Sequence, residues 1–69
     1  MYWTIEDRDE FALFGCKEEP HIVQHVQSHP ELLGESKYIV CKYERLDSVV
    51  PLEVKSLKTY INELRSRTV

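Results

Sequence analysis

The residues with the most chemistry in this chain of 69 are three histidines and two cysteines. His21, His25 and His29 stand at i, i+4 and i+8, so an unbroken helix would set all three imidazoles on one face. Cys16 lies just ahead of the row and Cys41 beyond it, giving C-x4-H-x3-H-x3-H-x11-C. Imidazoles one helical turn apart can chelate zinc, nickel or copper through their ring nitrogens. Cys16, His21 and His25 are therefore the candidate ligands of a small metal-binding or metal-sensing protein. The pattern has none of the C-x2-C pairs of structural zinc sites, and Pro30 disfavours helix at His29. A half-exposed polar helix flank accounts for the same row without a metal, and the leading expectation is a chain with no cofactor. Three imidazoles with ordinary pKa values near ~6.5 would also make one face responsive to pH.

A nucleophilic Cys16 paired with one of these histidines would need an orienting group and an oxyanion site. The chain has only two glycines, and it lacks G-x-G-x-x-G, P-loop and G-x-S-x-G patterns. No carboxylate falls on an apolar face to form an acid/base pair. The sequence therefore reads as non-enzymatic.

The elements that would position these residues follow from periodicity. Trp3 and Ile5 alternate with Tyr2, Thr4 and Glu6, as in a first strand. A polar turn at 7–10 leads to a second strand at 11–16, so the two form a hairpin. Pro20, behind Glu18 and Glu19, opens a helix whose stripe is Ile22, Val23 and Val26. Residues 28–34 read as a short turn of helix ending at Gly34. A third strand spans 36–46, with Ile39, Cys41 and Tyr43 opposite in facing to Tyr38, Val40 and Lys42. Asp47–Val50 is a connector, and Pro51 marks a boundary. Leu57, Tyr60, Ile61 and Leu64 then give a final helix, with Val54 one turn earlier on the same stripe.

The order is ββαβα over one domain, residues 1–69, of the α+β class. The strand–helix–strand step favours a right-handed crossover. The expected sheet is three-stranded and antiparallel, order 2-1-3, with both helices mainly on one face. On this reading Trp3, Ile5, Leu13, Ile39, Cys41 and Tyr43 face the helices. The far face carries Tyr2, Thr4, Ala12, Phe14, Tyr38, Val40 and Lys42, which is too apolar and aromatic for water alone.

Charge is uneven. Residues 1–35 hold eight acids against Arg8 and Lys17, whereas residues 36–69 hold seven bases against four acids. The net charge of −3 opposes nucleic-acid binding. Asp7, Asp9 and Glu10 are the expected rim acids, able to steer a basic partner. No apolar run reaches the ~20 residues of a membrane span. The first residues do not read as a signal peptide, so the expectation is a cytoplasmic protein with no membrane partner.

These features point to a protein-interaction module, self-associating as a homodimer, that binds and modulates another protein. Tyr2, Phe14, Tyr38, Val40 and Lys42 are its expected interface, with Asp7, Asp9 and Glu10 at the rim. The hairpin–helix–strand–helix unit with an acidic first half resembles, in general type, the accessory proteins of phages and mobile elements. That resemblance implies a host protein as partner.

Overall fold

The computed structural model describes residues 1–10 and 12–67. Strand β1 is Tyr2–Asp7 and β2 is Ala12–Cys16. Phe11, the expected first residue of β2, lies outside the described residues. Helix α1 is Glu19–Ser28, followed by a 3-10 turn at Pro30–Gly34. Strand β3 is Tyr38–Tyr43, β4 is Glu53–Ser56, and helix α2 is Leu57–Arg67.

The domain is α+β, and its sheet has four strands, not three. Their order is β2-β1-β3-β4 with every neighbouring pair antiparallel. The expected order 2-1-3 stands, extended by a strand just past the Pro51 boundary, where the last helix was expected to begin. Glu53-Val54-Lys55 alternates in polarity around a β-branched residue, as a strand should. Ser56 then stops it: its hydroxyl accepts the Thr59 backbone N–H at 3.1 Å and so caps α2. Val54 thus lies outside the helix whose stripe it seemed to extend.

The core lies between the sheet and both helices. Ile5, Ile22 and Leu57 are its largest fully buried side chains, with Cys16, Val26, Val40, Tyr60 and Ile61 packed around them. Each large aliphatic so buried contributes about 1.5–3 kcal/mol. Helix α1 begins with Pro20 and the acid Glu19 in its first turn. It ends at His29, whose backbone N–H donates to the carbonyls of His25 and Val26 at 3.0 and 3.1 Å. Pro30 then starts the 3-10 turn because it has no N–H to continue the ladder.

Two features set which side chains face the helices. The first is a β-bulge in the hairpin: Ile5 is opposite Phe14 while Glu6 is opposite Ala12, leaving Leu13 unpaired. The second is the β1–β3 register, in which Ile5 is opposite Val40 and Trp3 opposite Lys42. Directly opposed residues share a face. Phe14, Cys16, Tyr38, Val40 and Lys42 therefore stand on the helix side. Ile39, Cys41 and Tyr43 stand on the open side with Tyr2, Thr4 and Glu6.

Candidate interaction surface

The open face is built around Glu6. Its Oε2 accepts hydrogen bonds from Thr4 Oγ1 at 2.6 Å and Tyr43 Oη at 2.8 Å. Burial raises the Glu6 pKa, but these bonds favour the carboxylate and bring the net value below the usual range. Thr4 is buried despite facing away from the helices. Gly15 lies beneath the Tyr2 side chain, where a Cβ would collide with the phenol. Ile39, Cys41 and Val54 complete this face, with Val54 opposite Cys41.

Residues 44–52 leave β3 at the Tyr2 end of the sheet and form an arm. Ser48 folds it: Ser48 Oγ accepts the Arg45 N–H and the Ser48 N–H donates to the Arg45 carbonyl, both at 3.1 Å. The Leu52 N–H donates to the Lys42 carbonyl at 2.6 Å and fixes the base of the arm. Leu46, Val49, Val50 and Leu52 are exposed, Val49 by 90%. Leu46 and Val49 meet Tyr2, Thr4, Glu6 and Tyr43 around a cavity of about 330 Å³. Sequence reasoning gave residues 44–46 to the third strand and treated only Asp47–Val50 as a connector. The available signal was four aliphatic residues in a short stretch with only Pro51 to punctuate it.

Of the residues expected to form an interface, Tyr2 alone is on the open face. Val40 is 2% exposed and belongs to the core. Phe14 lies under α1, its ring stacked on His25 with centroids 4.2 Å apart. Tyr38 packs against the core, and the Lys42 ammonium sits 5.3 Å from the centre of the Trp3 ring. The cause is the bulge at Leu13 for Phe14, and the β1 register for the three β3 residues. Strand β3 is apolar at both parities, so its alternation alone does not choose a face.

Asp7 is a structural residue and not a rim acid. It is 5% exposed, accepts the Asp9 N–H at 2.8 Å and pairs with Lys37 Nζ at 3.1 Å. The Asp9 N–H, followed by Lys37, holds its carboxyl below the usual range. Asp9 and Glu10 are exposed. They lie at the hairpin, at the opposite end of the sheet from the arm.

The histidines divide among different partners. His25 stacks on Phe14 and tilts against His29 at 4.7 Å. Burial, then the neighbouring His29, holds the His25 pKa below its ordinary value. His21 lies 3.9 Å from Glu18, and His29, past the end of α1, lies 3.3 Å from Glu31. The Cys16 thiol donates to the Glu18 carbonyl at 3.0 Å. Among the described residues no group of three or more His, Cys, Asp or Glu is placed to hold a metal ion.

Both thiols are free and buried, and they stand on opposite faces of the sheet, separated by β1. Burial pushes both pKa values up, that of Cys41 to about 11 with Glu6 adding to the effect. Neither environment stabilises a thiolate.

No helix among the described residues is long and apolar enough to cross a membrane. No protein-family model, curated protein or solved structure matches this chain.

Proposed function

We propose that this chain is a non-enzymatic interaction module that binds and modulates another protein through the 44–52 arm and the adjoining open sheet face. One observation carries the reading. Of seven large hydrophobic side chains exposed among the described residues, five (Leu46, Val49, Val50, Leu52 and Val54) fall between 46 and 54. Scattered exposed aliphatics need no explanation, but five within nine residues of chain do. Each would contribute about 1.5–3 kcal/mol if a partner covered it completely, against the entropic cost of association. The net charge of −3 favours a protein over nucleic acid. Two unpaired thiols suit a reducing, cytoplasmic setting.

The test is a photo-crosslinking amino acid placed at Val49, with the exposed Lys58 on α2 as control. A discrete crosslinked species from position 49 and none from position 58 is expected. No crosslink from 49, or the same diffuse products from both, would sink the proposal.

A further inference from the structure

The sheet ends in two edges, and they differ. The β2 edge carries the bulge at Leu13, and bulges twist an edge away from further pairing. The β4 edge, Glu53–Ser56, has no bulge and no proline, and it is the last strand of the sheet. Its side chains set a definite condition on what can pair there.

A second copy joining this edge through a two-fold axis perpendicular to the sheet would run antiparallel to it. That axis keeps helix-side residues on the helix side, so only residues of equal parity meet. Glu53 and Lys55 share the helix side and Val54 the open side. A register centred on Glu53 opposes two carboxylates, and one centred on Lys55 opposes two ammoniums. The register centred on Val54 sets Val54 against Val54 of the second copy. It also sets Glu53 against Lys55 of the second copy, and Lys55 against its Glu53. Charged side chains ordinarily blunt an edge strand; here they reject two registers and favour the third.

We infer that the partner of this module is a second copy of the chain, joined β4 to β4 in the register centred on Val54, giving a continuous eight-stranded sheet. This rests on the proposed function and names its occupant. Lys55 already lies 2.7 Å from both Glu53 and Glu63 of its own chain, so the cross-strand pairs would extend an existing cluster of opposite charges. Leu52 falls opposite Ser56 of the second copy, and Val54 loses its exposure. Four residues of edge fall short of the ~800 Å² per partner of a standard interface. The apolar arms must complete it, and the dimer dissociates in the micromolar range.

The test uses reciprocal charge reversal read by sedimentation. Glu53→Lys opposes lysines at both cross-strand pairs, and Lys55→Glu opposes glutamates. Each variant alone should dissociate about tenfold more readily or worse. An equimolar mixture restores both opposite pairs, so it should form a heterodimer that neither variant forms with itself. Val54→Lys, which places two ammoniums on the axis at an exposed position, should be monomeric while melting as the wild type does at concentrations below its dimer dissociation constant.

Thermal melts of each variant confirm that the chain is folded. A wild type that stays monomeric to about 500 µM, well above micromolar affinity, overturns the inference. So does a mixture that behaves as the sum of its parts. If the wild type is monomeric but position 49 crosslinks a different protein, the module stands and the edge pairing falls. If position 49 crosslinks nothing, the module reading falls with it.

Discussion

Replacing Val40 with alanine separates the two faces of the sheet by energy. Val40 is 2% exposed and sits opposite Ile5, which is fully buried. The substitution removes two methyl carbons from a closed site. At about 0.8 kcal/mol per buried carbon, with a further penalty for the space left, the cost is about 2–3 kcal/mol. A core of this size supplies about 3–5 kcal/mol in all, so most of the margin disappears. The melting midpoint should fall by about 10–20 °C, at the 4–8 °C per kcal/mol expected of so small a domain. Val54→Ala provides the comparison. Val54 lies on the open face, 52% exposed, and its loss should cost under about 0.5 kcal/mol in the monomer. Urea titration followed by the fluorescence of Trp3, the single tryptophan, reads both. Trp3 packs against the core and lies 6.2 Å from the Tyr60 ring, so its signal reports this packing. Equal costs at 40 and 54 would refute the assignment of Val40 to the core side and Val54 to the open side.

Three further outcomes are expected. Glu6 and Asp7 both have carboxyls held below their ordinary values of 4.5 and 3.8. Their contribution to stability is present above those values and is lost as pH falls through the lower folded ones. The melting midpoint should therefore dip slightly as pH falls through about 6.5, where the lowered His25 pKa costs stability, and drop steeply below about pH 4, with a shallower acid drop in Asp7→Asn; an identical acid limb in that variant refutes the assignment. Ser56→Ala removes the cap of α2 and should cost about 1 kcal/mol, read as a lower midpoint by circular dichroism; an unchanged midpoint refutes the cap. Cys41, with its pKa pushed up to about 11, should react with iodoacetamide at pH 7.5 at least about a hundredfold more slowly than free cysteine. Rapid labelling of either thiol would reopen a catalytic reading.

The legible parts of the fold were those with one dominant period. Trp3 and Ile5 show their face because Thr4 and Glu6 alternate with them, and Ile22 with Val26 marks the buried side of α1. Leu57, Tyr60, Ile61 and Leu64 define α2 in the same way. Failure came where two patterns overlapped. Val54 sits three residues before Leu57, so helical spacing claims it although Ser56 caps the helix after it. Strand β3 offers Ile39 and Cys41 on one side and Tyr38 and Val40 on the other, and only its register with β1 decides between them. The bulge that turns Phe14 inward is a property of pairing, which no single strand displays. The candidate surface was missed for the same reason. An aliphatic connector reads as loop until the sheet beside it is seen to be covered on one face only.

The arrangement separates what folds the chain from what remains available to a partner. The core side chains Ile5, Ile22, Val26, Val40, Leu57, Tyr60 and Ile61 all lie between sheet and helices, and none belongs to residues 44–54. The open face meets its polar needs within itself, since Thr4 and Tyr43 both donate to Glu6. Leu46, Val49, Val50 and Leu52 contribute little to folding because they remain in water. Polar replacements in the arm should therefore leave the melting midpoint nearly unchanged, whereas replacements at 5, 22 or 40 should lower it whatever the partner does. Aliphatic side chains whose exposure brings the monomer no stability are better explained by a bound state than by the fold. That difference in energy is the reason for proposing the arm and the β4 edge as the interaction surface rather than the histidine row, whose members already have partners in Phe14, Glu18 and Glu31.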